Sequence, residues 1–146
     1  MAKTLIVARH GHAEDAQDDF TRRLSPKGVA EVNAAGRTLA SRGTCVDAVL
    51  TSAAPRAAET ARLLAKHVGF DAPPQEERQL YLAEPLTLLK RVCATSDSVE
   101  TLLVVGHNPG LSSFVSRLGG QAHDLRTAEV VHLRLDVEHW GEVSFD

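Results

Sequence analysis

The segment TLIVARHGHA, residues Thr4–Ala13, carries the first strong structural signal of the chain. Its apolar run Thr4–Ala8 is short and partly β-branched, which predicts a buried strand. The run stops abruptly at Arg9 and His10, and Gly11 follows. A single arginine and histidine after a strand most often belong to the surface, so their meaning depends on what the rest of the chain brings beside them.

Length and composition restrict the class of protein. The chain has 146 residues, which predicts a single domain over residues 1–146. An apolar fraction of 43% and a charged fraction of 24% are typical of globular proteins. The net charge of −3 argues against general nucleic-acid binding, which normally requires a basic excess.

The cysteines and the termini indicate a compartment. Cys45 and Cys93 lie far apart and form no C-x-x-C or metal-binding spacing, so we expect free thiols in a reducing environment. The N-terminal apolar run is too short for a signal peptide, and no stretch approaches the roughly 20 residues that span a bilayer. We therefore expect a cytoplasmic protein with no membrane partner.

Strands and helices alternate along the chain. Further strands are predicted within residues 46–52 and 101–106. Four helices are predicted to begin at prolines, a favoured first helical residue: Pro26, Pro55, Pro85 and Pro109. The alternation predicts an α/β fold, a three-layer α/β/α sandwich with a mostly parallel central sheet.

Three segments are predicted to lie outside this pattern. The acidic stretch 14–23 indicates a loop, and Pro73-Pro74 argues against regular structure over 71–79. The C-terminal residues 129–146 alternate apolar and polar side chains, which predicts a hairpin or a pair of edge strands.

Ligands of parallel sheets bind at the carboxyl ends of the strands, and this chain places arginines and histidines there. Arg9 and His10 follow the first strand, Arg56 follows the second, and His107 and Asn108 follow the strand over 101–106. A guanidinium matches phosphate oxygens, and a helix start favours an anion. The pattern predicts a phosphate or oxyanion pocket.

A histidine beside such a pocket can attack phosphorus. Positive charge nearby disfavours an imidazolium, so His10 should stay neutral and nucleophilic. Arg9, Arg56 and His107 can stabilise the charge of the transferring phosphoryl group without a metal. Neither an aspartate cluster nor a Gly-rich phosphate loop is present, so we expect no metal and no cofactor.

Four segments in order resemble the histidine phosphatase superfamily, also called phosphoglycerate mutase-like. They are ARHGHAE, RRLSPKG, TSAAPRAAET and VVGHNPGL. The resemblance spans nearly the whole chain, and the short length, GHNPGL and RTAEVVHL are most similar to SixA-type phosphohistidine phosphatases. It implies a phosphorylated His10, with Arg9, Arg56 and His107 completing the phosphate pocket.

The resemblance also implies contacts and partners. Gly11, Arg22, Asn108 and Glu84 are candidate substrate-binding residues, and Glu84 is also the candidate acid or water-positioning group. The role of His12 is left open. The implied reaction removes phosphate from phosphohistidine on a partner such as a histidine phosphotransfer domain, through phospho-His10. A phosphatase of small phosphate esters and an inactive module that binds phosphoproteins remain as alternatives.

Overall fold

The computed structural model describes residues 2–145 and contains a central sheet of order β3-β2-β4-β1-β5. The strands are Lys3–Arg9 (β1), Ala48–Ser52 (β2), Gln75–Glu77 (β3), Thr101–Gly106 (β4) and Val130–Leu135 (β5). The helices are Pro26–Ser41 (α1), Pro55–His67 (α2), Pro85–Cys93 (α3) and Gly110–Gly119 (α4). Only β5 runs antiparallel to its neighbour among these strands, so the predicted mostly parallel sheet is confirmed.

The sheet is buried on both faces, which explains the continuous apolar runs of β1 and β4. Leu5 and Val7 of β1 pack in one cluster with side chains of α3 and α4, whereas Ile6 and Ala8 pack in a second cluster with α1 and α2. Helices thus cover both faces, and the predicted three-layer α/β/α architecture is confirmed.

The start of α1 fixes the chain that follows β1. The Ser25 side chain caps this helix by accepting a hydrogen bond from the Gly28 N–H at 3.0 Å. A Cβ on Gly28 would lie 1.9 Å from the carbonyl oxygen of His12, so only glycine allows this approach. The segment after His10 is therefore held against the first turn of α1.

The prediction that residues 71–79 lack regular structure is wrong. Gln75–Glu77 forms β3, which pairs in parallel with Leu50–Ser52 of β2, and a turn of 3-10 helix follows at Arg78–Leu80. Pro73 and Pro74 lie just before β3, so their missing N–H groups are not needed for strand pairing.

The acidic segment and the C-terminal tail also differ from the predictions. The segment 14–23 contains a turn of 3-10 helix at Asp19–Thr21. Within residues 129–145 the tail supplies β5 alone and then a 3-10 turn at Trp140–Glu142, so the predicted hairpin is wrong. Trp140 is fully buried and its indole N–H donates to the Val99 carbonyl. The segment after β5 therefore packs into the core and does not form a second strand.

No helix within residues 2–145 is long and apolar enough to span a bilayer.

Candidate active site

The carboxyl ends of the neighbouring strands β2, β4 and β1 open into one cavity of about 390 Å³, called here the strand-end cavity. Its walls are formed by Arg9, His10, His12, Ala13, Asp19, Arg22, Arg56, Leu82, His107, Asn108 and Thr127. The structure therefore brings together Arg9, His10, Arg56 and His107, which lie up to 98 positions apart in the chain.

The hydrogen bonding of His10 leaves a lone pair on one of its two ring nitrogens. Its Nδ1 lies 2.7 Å from the carbonyl oxygen of Gly11. A carbonyl can only accept, so Nδ1 carries the proton and Nε2 keeps its lone pair. The Arg56 Nε–H donates toward that Nε2 at 3.4 Å, and His10 is only 7% exposed. This is the arrangement of a neutral nucleophile beside a fixed cation.

His107 presents the opposite ring nitrogen. Its Nε2 lies 2.8 Å from the Ser52 hydroxyl, which already accepts a hydrogen bond from the Ala54 N–H. The Ser52 proton is free to be donated to Nε2, and this leaves the proton of the His107 ring on Nδ1. Nδ1 of His107 and Nε of Arg9 are buried and have no hydrogen-bond partner within residues 2–145. Two donors near His10 can thus serve phosphoryl oxygens.

Arg56 is fixed by a carboxylate. Its Nη1 donates to the Asp19 carbonyl at 2.7 Å and its Nη2 to Asp19 Oδ2 at 3.0 Å. Asp19 also accepts from Arg22 at 3.2 Å and from the Tyr81 hydroxyl. Both terminal nitrogens of Arg56 are thereby occupied, which orients its Nε toward His10.

The protonation states follow from burial and charge. Burial lowers the pKa of His10 to about 4 with help from Arg56 and Arg9, against a raising effect of the Gly11 hydrogen bond. Burial, followed by the nearby His10 and Arg56, lowers the pKa of His107 to about 3. Both rings are therefore neutral at pH 7.

Asp19 stays ionised for a different reason. The Tyr81 hydroxyl, then Arg22 and Arg56, hold the pKa of its carboxyl well below the usual range. The same hydrogen bond to Asp19 raises the pKa of Tyr81. A carboxyl in this state cannot act as a proton donor near neutral pH.

Of the other predicted binding residues, two line the strand-end cavity, Arg22 and Asn108. Arg22 lines the strand-end cavity and also forms an ion pair with Asp19 at 3.2 Å, so it is part of the cationic wall. Asn108 also lines the cavity. Its amide donates to the Leu125 carbonyl at 2.9 Å and its Oδ1 accepts from the Ser112 N–H at 3.0 Å. Asn108 therefore fixes the start of α4.

Gly11 and Glu84 do not line the strand-end cavity. The Gly11 N–H donates to the Thr60 hydroxyl at 3.1 Å, and a Cβ on Gly11 would lie 2.7 Å from Val32 Cγ2. Gly11 thus serves close packing. Glu84 is an exposed residue that precedes α3, where its charge favours the helix N-terminus.

His12 is placed at the mouth of the cavity. Its Nδ1 lies 2.6 Å from the Ser25 hydroxyl, and its N–H donates to Glu31 at 2.9 Å. Its Nε2 is the ring nitrogen that is not engaged by Ser25.

Sequence reasoning missed Asp19 and Tyr81 as parts of the site. The path of an acidic loop cannot be read from its composition, so nothing in the segment 14–23 singles out Asp19. The Asp19 carboxylate and the Tyr81 hydroxyl meet only after α2, β3 and the loop over 14–23 are packed together. No sequence pattern near Tyr81 signals that contact.

Comparisons with known proteins agree with this geometry. The family model of the histidine phosphatase superfamily (branch 1) matches residues 5–81. An uncharacterised protein of Mycobacterium tuberculosis is 41% identical over 140 residues, covering 89% of this chain and 86% of its own length. An uncharacterised protein of Mycobacterium leprae is 40% identical over 102 residues, and the match spans 70% of this chain and 61% of that protein.

A solved structure gives the same fold. It is the structure of a Nakamurella multipartitia protein assigned as the phosphohistidine phosphatase SixA. The two are 26% identical, with a TM-score of 0.80 over 98% of this chain and 90% of the other. The chain therefore belongs to the histidine phosphatase superfamily, branch 1, and is a phosphatase of that superfamily.

Proposed function

We propose that this protein removes the phosphoryl group from phosphohistidine on a phosphotransfer protein, without a metal and through a phospho-His10 intermediate. One observation carries the choice of substrate. Among the described residues, Asp19 is the carboxylate on the wall of the strand-end cavity, and it is held ionised by Tyr81, Arg22 and Arg56. No cavity carboxyl is thus suited to protonate an alkoxide leaving group.

Phosphohistidine does not require such an acid. The substrate imidazole can take a proton from solvent on its far ring nitrogen and then leave as a neutral ring. The lone pair of His10 Nε2 forms the new P–N bond as the substrate P–N bond breaks. One phosphoramidate replaces another, so the leaving group is no poorer than the nucleophile.

The intermediate is then resolved by water. Water attacks phosphorus, the bond to His10 Nε2 breaks, and the water protons pass to phosphate and solvent. His10 leaves as a neutral ring because its Nδ1 proton is retained by the hydrogen bond to Gly11. Arg9, Arg56 and the Nδ1–H of His107 stabilise the charge on the equatorial oxygens.

The similarity to the Nakamurella protein supports this substrate. Cytoplasmic location stays a prediction.

The test compares the hydrolysis of substrates that have different leaving groups. Phosphate release is measured in the presence of a chelator, from a phosphohistidine-bearing phosphotransfer domain and from a panel of sugar phosphates. We expect release from phosphohistidine and less than about twofold loss in Glu84→Gln. His12→Gln serves as a second variant, since His12 Nε2 is the other group that could pass a proton at the mouth.

Hydrolysis of sugar phosphates alone, with a large loss in Glu84→Gln or His12→Gln, would replace the phosphohistidine proposal by the small-ester phosphatase. Phosphohistidine binding without any turnover would support the inactive binding module instead.

A further inference from the structure

Two large apolar side chains are exposed within residues 2–145, and they lie four positions apart in the sequence. They are Leu82, which is 50% exposed, and Leu86, which is 53% exposed. Leu82 forms part of the wall of the strand-end cavity, and Leu86 follows in the first turn of α3. A single exposed leucine needs no explanation, but a half-exposed leucine in the wall of an active-site cavity, with a second one four residues later, does.

Leu82 is also held in an unfavourable backbone conformation. Its φ is 51°, in the left-handed region that is sterically unfavourable for a leucine. The turn is fixed by the residue that follows it, because a Cβ on Gly110 would lie 1.9 Å from the Ala83 carbonyl oxygen. Close packing on α4 therefore keeps Leu82 directed outward at the cavity mouth.

Two aromatic residues lie beside the phosphate site, and one of them, Tyr81, directly precedes Leu82 in the chain. Phe20 and Tyr81 pack edge to face with ring centroids 4.8 Å apart. The Tyr81 hydroxyl contacts Asp19, the partner of Arg56. We call the surface formed by Phe20, Tyr81, Leu82 and Leu86 the apolar rim. Leu82 lines the strand-end cavity and Tyr81 packs edge to face on His107 with ring centroids 5.4 Å apart, so the rim adjoins the cavity through these two residues.

We propose that the apolar rim binds a polypeptide segment in which an apolar side chain lies beside the phosphohistidine. This inference rests on the proposed function and specifies its substrate. The cationic wall complements the phosphoryl group, and the rim complements an apolar neighbour on the same partner. A sugar phosphate is polar on all sides and would leave Leu86 in water.

Leu86 is the residue to change, since it lies on the rim and outside the cavity wall. Leu86→Ser removes the apolar contact, and Leu86→Lys replaces it with a positive charge. Leu86→Met keeps an apolar side chain of similar volume and is the matched control. All three substitutions are at one exposed position in the first turn of α3, so folding should be preserved.

The probes are two phosphohistidine peptides of equal length that differ only in whether leucine or serine flanks the phosphohistidine, with free phosphohistidine as the small substrate. We expect the unmodified protein to favour the leucine peptide about five- to tenfold in kcat/KM, mainly through KM. Leu86→Ser and Leu86→Lys should reduce that preference below twofold, and Leu86→Met should keep it. None should change the turnover of free phosphohistidine.

The docking proposal is overturned if the unmodified protein shows no preference, or if the preference survives Leu86→Ser. It is also overturned if sedimentation shows that the rim joins two copies of this chain and that Leu86→Lys separates them. Failure of the unmodified protein to hydrolyse either peptide or free phosphohistidine, while it hydrolyses sugar phosphates, would overturn the proposed function itself.

Discussion

The histidines that follow β1 and β4 reach the same cavity from neighbouring parallel strands, yet they offer opposite ring nitrogens to it. His10 binds the Gly11 carbonyl through Nδ1 and leaves Nε2 free, whereas His107 binds the Ser52 hydroxyl through Nε2 and leaves Nδ1 free. Their ring centroids are 5.1 Å apart. The two rings have the same chemistry and nearly the same burial.

The partner atom makes the difference. A carbonyl only accepts, so His10 must keep its proton on the bound nitrogen and present a lone pair. The Ser52 hydroxyl can donate, so His107 can present an N–H. In the proposed mechanism one ring is the nucleophile and the other donates to phosphoryl oxygens, although the same short sequence pattern, an apolar strand followed by histidine, describes both.

The largest expected effect comes from removing the His10 and His107 rings in turn. His10→Ala should lower kcat by at least about 10³-fold, because no other group can form the intermediate. His107→Ala should lower it by about 10²-fold, the cost of one oxyanion donor. Rapid-quench measurement of phosphoenzyme should find none in His10→Ala and slower formation in His107→Ala. Equal losses with phosphoenzyme in both variants would contradict the comparison.

A smaller effect is expected from the hydroxyl that holds His107. Ser52→Ala removes the donor to Nε2 and allows the His107 ring to adopt the other tautomer. We expect kcat to fall about three- to tenfold, in keeping with the loss of one hydrogen bond. Ser113→Ala, at an exposed position on α4, is the control for loss of a hydroxyl. If KM rises while kcat is unchanged, Ser52 would not be orienting the donor.

A separate prediction concerns stability against pH. Burial lowers the pKa of His10 to about 4 and that of His107 to about 3, from an ordinary value of 6.5. Below pH 6.5 the unfolded chain therefore binds more protons than the folded one, so these rings favour the folded state fully above that pH. The free energy of unfolding should fall as the pH drops from 6.5 toward 4.

Denaturant titrations at several pH values test this dependence of the free energy of unfolding on pH. His10→Asn carries no titrating ring, so its decline over the same interval should be shallower than that of the unmodified protein. A parallel decline in both proteins would show that other groups produce it.

The sequence was sufficient for the sheet, the helices and the basic core of the site. The apolar runs of β1 and β4 and the prolines at helix starts have local signals, and the carboxyl-end rule then places Arg9, His10, Arg56 and His107 together. β3 was missed because three polar residues after two prolines have no strand pattern, and only pairing with β2 makes them a strand.

The residues that refine the chemistry depend on contacts between distant segments. Glu84 was expected to act on the substrate, but it lies outside the cavity wall. Asp19 and Tyr81 take part instead, through a hydrogen bond across 62 positions that no local pattern encodes. The ring nitrogen that each histidine presents is likewise set by its partner in space.

The decisive measurement identifies the atom of the protein that becomes phosphorylated. The protein is mixed with a phosphohistidine-bearing phosphotransfer domain, quenched in base, and analysed by mass spectrometry and ³¹P NMR. We expect a single phosphoryl group on Nε2 of His10. A phosphoryl group on His107 or on Nδ1 of His10, or turnover with no phosphoenzyme under any quench time, would contradict it.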